Sequence, residues 1–163
     1  MAGRIQRITP FLWFDGNAED AVRFYVSVFE NSRIGQVTRY TKESSDASGQ
    51  PVGRVMTIAF ELDGQPFTAI NGGPHFRFNE AVSFVINCDS QDEIDYYWDK
   101  LSAGGDPKSQ VCGWLKDRFG LSWQVTPSEL PDLMRNPATT AAVMKEVLKM
   151  KKIDLATLRR AAG

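Results

Sequence analysis

The chain has 163 residues, 42% of them hydrophobic and 24% charged, with a formal net charge of −1. This is the composition of an ordinary globular protein, long enough for one compact domain or two small fused modules. It carries no global field toward nucleic acid, and no apolar run approaches the roughly 20 residues that span a bilayer.

Met1-Ala2-Gly3-Arg4-Ile5 holds no apolar signal core, so the expected location is cytoplasmic. Ile5 to Phe14 predicts a first strand, rich in β-branched and aromatic residues. Asp15-Gly16-Asn17 predicts a turn with Asn17 as helix cap, and Ala18, Ala21, Val22, Tyr25, Val28 and Phe29 follow helical spacing to about Glu30. Ile34 to Tyr40 predicts a second strand, and the polar, Ser-rich stretch Lys42 to Gly53 a mobile loop. Arg54 to Leu62 alternates, with Met56, Ile58, Phe60 and Leu62 on one face. Asp63-Gly64 tolerates the positive φ of a type I′ hairpin turn, after which Pro66 to Asn71 returns as the fourth strand. A linker over 72–80 then precedes a strand at Ala81 to Cys88.

Ser90 and Glu93 predict a capping box ahead of a helix presenting Ile94, Tyr97, Trp98 and Leu101, and Gly104-Gly105 predicts its end. Short strands are expected near Pro107-Lys108, over Val111–Lys116 and over Leu121–Thr126, with Asp117 shaping the turn before Phe119-Gly120. Residues 128–163 predict a helical tail, with Pro137 in the first turn of its main helix and Val143, Val147 and Met150 on one stripe. Basic residues gather there at Lys145, Lys149, Lys151, Lys152, Arg159 and Arg160, but Glu146 and Asp154 interrupt them, so a solvated helix face is expected rather than a nucleic-acid or membrane patch.

The fold class is therefore α+β, as two β-α-β-β-β modules over 5–71 and 81–127. An internal echo supports this. Asp20-Ala21-Val22-Arg23-Phe24-Tyr25 recurs about 72 residues later as Asp92-Glu93-Ile94-Asp95-Tyr96-Tyr97, the mark of a repeated supersecondary unit. Two such units are expected to face each other across a cleft, a common place for a ligand. Period-two alternation puts Val82, Phe84 and Ile86 on one face of the fifth strand, with Ala81, Ser83 and Asn87 on the other. In the last strand Trp123 and Val125 oppose Ser122, Gln124 and Thr126. The polar sets are expected to line a concave cup or to face water.

Paired modules with aromatic pairs in their helices resemble the vicinal oxygen chelate superfamily, which includes glyoxalase I, extradiol dioxygenases and fosfomycin-resistance proteins. Three runs are similar to its PhnB-like branch, often labelled 3-demethylubiquinone-9 3-methyltransferase: Ile8–Asp15, Asn71–Phe76 and Cys112–Gln124. The resemblance implies a curved mixed sheet in each module, a homodimer and a small-molecule ligand. It places the superfamily's metal-ligand positions near Pro10, Thr68 or Ala69, Ser83 and Gln124. Proline offers no side-chain ligand, and Ser and Thr are poor neutral ligands for zinc, nickel or iron. No metal and no other cofactor is therefore expected.

The expected ligand-binding set is Trp13, Asn71, Ser83, Asn87, Trp114, Ser122 and Gln124. His75 is the single histidine and the natural proton-transfer candidate. Cys112, four residues before Lys116, is a candidate nucleophile, although Cys88 and Cys112 lack C-x-x-C spacing and read as free thiols. The reading is a metal-independent small-molecule-binding protein. The alternative is an enzyme: a lyase or isomerase using His75, or the labelled methyltransferase. The latter lacks a G-x-G-x-x-G run for S-adenosylmethionine.

Overall fold

The computed structural model describes residues 6–163. The expectations for Met1–Ile5, including the start of the first strand, lie outside the described residues. The chain divides into two compact units, one ending at Arg77 and the other running Phe78–Gly163, so the C-terminal tail belongs to the second.

The first unit runs β1 (Phe11–Phe14), α1 (Ala18–Val28), β2 (Arg33–Arg39), α2 (Lys42–Ser48), β3 (Val55–Leu62) and β4 (Gln65–Asn71). Its sheet has the order β1-β4-β3-β2, with β1 and β4 parallel and the other pairs antiparallel. Helix α1 buries Ala18, Ala21, Val22, Tyr25 and Val28 against one sheet face, where Leu12, Phe14, Ile58, Phe60, Leu62, Phe67 and Ala69 are also buried. Each large side chain so removed from water contributes roughly 1.5–3 kcal/mol. The β3–β4 turn is a type I′ pair, with Asp63 at φ 46° and Gly64 at φ 74°.

Three local expectations change in this unit. Asn17 makes no side-chain cap; Asn71 of β4 caps α1 instead, its Oδ1 accepting from Ala18 N–H at 2.9 Å. The stretch expected as a mobile loop contains α2, closed by a Thr41–Ser44 capping box and left-handed Gly49. The β2–β3 pairing shifts register on both sides of Val37, and near these bulges Val55, rather than the expected Met56, is buried.

The second unit runs β5 (Phe84–Cys88), α3 (Gln91–Ser102), β6 (Trp114–Lys116) and β7 (Ser122–Pro127), then α4 (Leu130–Leu133), α5 (Pro137–Val147) and α6 (Leu155–Ala162). Its sheet has the order β5-β7-β6, with β5 and β7 parallel and β6 antiparallel to β7. The strand expected near Pro107-Lys108 is a 3₁₀ turn over Pro107–Ser109, capped by Asp106. It covers the β6 edge, where Ser109 Oγ accepts from Lys116 N–H at 2.8 Å. The expected capping box on α3 is displaced by one residue. Ser90 Oγ accepts from Glu93 N–H, but the Glu93 carboxylate accepts from Asp89 N–H, not from Ser90.

The tail is pinned to this unit by backbone and side-chain bonds. Cys112 and Gly113 N–H donate to the Met150 and Lys151 carbonyls, each at 2.8 Å. Gln91 bridges the Ile153 carbonyl and Leu155 N–H. The tail's basic run is largely engaged locally: Lys149 pairs with Glu146, Lys152 with Asp95 and Arg159 with Glu129, and Arg160 donates to Thr157. Among the described residues no helix is long and apolar enough to cross a membrane.

Candidate functional site

The sheet of the second unit has two unlike faces. Phe84, Ile86 and Cys88 on β5, Leu115 on β6 and Trp123, Val125 and Pro127 on β7 face α3, whose Ile94, Trp98 and Leu101 are buried. The other face carries Trp114, Lys116, Ser122, Gln124, Thr126, Val85 and Asn87. Gly113 C=O accepts from Val125 N–H at 2.8 Å, and Leu121 C=O from Asp117 N–H at 3.0 Å. Those rungs are hydrogen-bonded, so the intervening Trp114–Gln124 and Lys116–Ser122 pairs are the non-bonded rungs, where opposed side chains come closest.

On this face Gln124 Nε2 donates to Ser83 Oγ at 2.9 Å. Trp114 sits beside Gln124 on one side, and the half-exposed Val85 on the other. Ser122 is buried, and its Oγ has no hydrogen-bond partner among the described residues. Lys116 Nζ donates to Glu80 Oε1 at 2.5 Å. That bond is the main reason the Glu80 carboxyl lies below its ordinary range. Asn87 shares the face, exposed and further along β5.

The helix side of this sheet holds a charged group too. Asp117 is buried, its Oδ1 accepting from Phe119 and Leu121 N–H at 2.8 and 3.1 Å and its Oδ2 from the Trp123 indole at 2.8 Å. It shapes the expected turn and also ties that turn to β7.

Trp13, Asn71 and His75 lie in the first unit, where β1 and the parallel β4 end together. The Trp13 indole donates to the Gly73 carbonyl at 2.9 Å and meets Phe76 edge-on at 4.9 Å. Gly72 packs on the indole so closely that a Cβ there would come within 2.1 Å of it. Asn71 has a structural role in the first unit. It is fully buried, and its amide group donates to Glu19 Oε2 and to the Val55 carbonyl while its oxygen caps α1. Both N–H groups of the carboxamide and one acceptor site of its oxygen are thus used within the unit.

The two catalytic candidates lie in different units, His75 in the first and Cys112 in the second. His75 is exposed, with no carboxylate paired to orient it among the described residues. Cys112 occupies a tight turn at φ 54°, ahead of Gly113 at φ 84°. Cys88 is the buried thiol, pushed up to about 12 chiefly by burial and so inert at neutral pH. Among the described residues no three His, Cys, Asp or Glu side chains form a metal-holding group.

Sequence reasoning missed Lys116, Glu80 and the second role of Asp117. The alternation already applied to β5 and β7 would have found Lys116, because it follows Trp114 by two residues on β6.

A family model described as 3-demethylubiquinone-9 3-methyltransferase matches residues 6–126, which take in both sheets. The chain belongs to this family. Among solved structures it is similar to a PhnB protein from Bacillus cereus, at 36% identity over 75% of this chain and 99% of that one, with a TM-score of 0.63. It is also similar to a Pseudomonas aeruginosa protein at 21% identity, over 75% of this chain and 98% of that one, with a TM-score of 0.56, a likeness of fold. No curated protein matches the chain. The fold is α+β of the PhnB-like, glyoxalase-like kind, with two mixed sheets and a helical C-terminus.

Proposed function

We propose that the protein binds a small organic molecule, without a metal, on the polar face of its second sheet. The observation that carries this reading is the grouping of Gln124, Ser83 and Trp114 on one face of the sheet. A few polar groups beside an indole are typical of small-ligand sites.

The metal positions of the superfamily do not fit a divalent ion here. They hold Pro10, Thr68 or Ala69, Ser83 and Gln124, of which only Gln124 offers a good neutral oxygen ligand. S-adenosylmethionine, which the family description implies, fits poorly too. A nucleoside cofactor at a strand-to-helix turn needs room for close approach to the backbone. Asn71 already takes the Ala18 N–H, and Arg54 crowds Gly16, where a Cβ would lie 2.1 Å from its guanidinium. At α3 Ser90 takes the Glu93 N–H. Methyl transfer is therefore not the favoured chemistry.

The assembly we infer is a cytoplasmic homodimer. Phe11 and Phe76 are 58% and 63% exposed, the kind of apolar surface that subunit contacts cover. Two free cysteines suit a reducing compartment.

Native mass spectrometry of freshly purified protein tests the reading. A dimer carrying a small organic ligand is expected, with the ligand lost in Gln124→Ala while the melting temperature changes little. One equivalent of metal per chain, lost with Gln124→Ala, sinks the metal-independent reading. A ligand retained unchanged in Gln124→Ala removes this face as the site.

A further inference from the structure

Arg54 is the one arginine among the described residues that is not exposed, and it has no carboxylate partner among them. Arg23, Arg33, Arg135 and Arg159, all exposed, each have one. A cation partly withdrawn from water is ordinarily paired, because its lost hydration has to be replaced. The acids of the β1–α1 stretch do not supply the pair: Glu19 accepts from Asn71, and Asp15 is exposed. Two neutral oxygens hold the guanidinium instead. Nη1 donates to Gln50 Oε1 at 2.9 Å, and Nη2 to the Gly16 carbonyl at 3.2 Å.

These bonds leave donors over, since a guanidinium has more N–H groups than they use. Arg54 Nε and Gln50 Nε2 have no partner among the described residues. Neither is closed to solvent, because the Ser122 hydroxyl is the sole buried, unpartnered side-chain N or O among them. The Arg54–Gln50 bond keeps the two donor groups adjacent. Both lie against bare backbone just beyond the ends of β1 and β4. A Cβ at Gly16 would come within 2.1 Å of Arg54, and one at Gly73 within 2.7 Å of Gln50 Nε2.

We propose that Arg54, with the Gln50 amide beside it, is an anion-binding site of the first unit. Its ligand group is an oxyanion, the carboxylate or phosphate of a small molecule. Such a group supplies the missing counter-charge and accepts from the guanidinium edge that carries Nε. The site is separate from the polar face of the second sheet and does not rest on the reading given for that face. An Arg54 that only ties Gly16 to Gln50 would bind no anion to saturation.

The experiment titrates sodium phosphate and sodium acetate into the full chain, with sodium chloride holding the ionic strength constant. The NMR signals of the Arg54 Nε–H and the Gln50 side-chain amide report binding. At least one oxyanion should move both signals to saturation. A response to phosphate only assigns a phosphate group, and a response to acetate only a carboxylate. Arg54→Gln should weaken the binding about tenfold or more, and Gln50→Leu about threefold. Arg54→Lys keeps the charge but loses the fork and should weaken it about fivefold. Gln124→Ala, in the other unit, should leave it within about twofold.

Shifts that chloride reproduces, or that never saturate with either oxyanion, overturn the proposal. So does binding unchanged in Arg54→Gln, or in Arg54→Lys where Arg54→Gln does not fold. Oxyanion binding lost in Gln124→Ala would move the anion to the second unit and also overturns it. In the first two cases the small-molecule reading stands, since its own test is read on Gln124→Ala.

Discussion

Replacing Asp117 tests the account of the second unit most sharply. Its carboxylate accepts three N–H groups, two from the turn backbone and one from the Trp123 indole. In Asp117→Asn the new side chain can keep an oxygen for Phe119 and Leu121, but its amide nitrogen then meets the indole N–H, donor against donor. Losing a charge-assisted bond and opposing two buried donors costs about 2–4 kcal/mol. Trp123→Phe removes the indole donor and part of a ring that is 3% exposed, and costs about 2–3 kcal/mol. The pair must not add. With the indole gone, the carboxamide introduced by Asp117→Asn no longer confronts a donor, so the double variant should recover about 1–2 kcal/mol relative to the sum. Urea unfolding followed by far-UV circular dichroism gives each term, provided the slopes agree. Additivity within about 0.5 kcal/mol would show that Asp117 acts on the turn alone, and the proposed tie between turn and strand would be wrong.

Two further outcomes follow from local geometry. A Cβ at Gly105 would lie 2.0 Å from the Lys116 carbonyl oxygen, a backbone atom. Gly105→Ala should therefore cost about 2–3 kcal/mol by thermal melt, whereas Gly49→Ala meets nothing within 4 Å and carries only the strain of φ 72°, about 1 kcal/mol; the reverse ranking refutes the packing of the 3₁₀ segment on β6. Cys88 should resist iodoacetamide at mildly alkaline pH while Cys112 reacts. Because folding raises the Cys88 value from 9.0 to about 12, its contribution to stability is whole below pH 9.0 and is lost as pH rises toward about 12. A Cys88→Ala variant that loses stability over that range as steeply as wild type would show another group is responsible.

The features legible in the sequence were those fixed by neighbours. Asp63-Gly64 announced its turn because few residues accept two successive positive φ values. Period two separated Trp123 from Gln124 without knowledge of any partner strand. Helix α2 escaped because it buries nothing, so no hydrophobic period exists to read. Its signals were terminal only, the Thr41–Ser44 box and Gly49. The expected strand near Pro107-Lys108 is a 3₁₀ turn, and Asp106-Pro107 is a helix-start pair that signals it. Asn71 could not be read correctly from its surroundings. Its role depends on the parallel pairing of β1 with β4, which brings it to Ala18 across 53 residues.

The internal echo itself was real but one residue out of register, and the reason bears on how the modules diverged. Aromatic identity aligned Phe24-Tyr25 with Tyr96-Tyr97. Burial aligns them differently: Ala21, Tyr25 and Val28 are the buried stripe of α1, and Ile94, Trp98 and Leu101 that of α3. Each stripe has the same spacing of four and then three, and Trp98, not Tyr97, takes the place of Tyr25. Tyr96 instead is 41% exposed, under a loose contact from Lys100. What the fold requires of either helix is an apolar stripe with a large aromatic at its centre. It does not require the aromatic neighbour, so that neighbour was free to drift. The two units also differ at the sheet edge, where the second has a capped turn over Pro107–Ser109. There Lys116 has its N–H satisfied by Ser109 and its ammonium on the polar face. The first module, whose sheet has four strands, places Ala59 and Thr68 on the rungs of its own polar face and the Arg33–Glu61 pair at its margin. The two polar faces thus differ in what their rungs carry, and it is the second that holds the buried Ser122 hydroxyl.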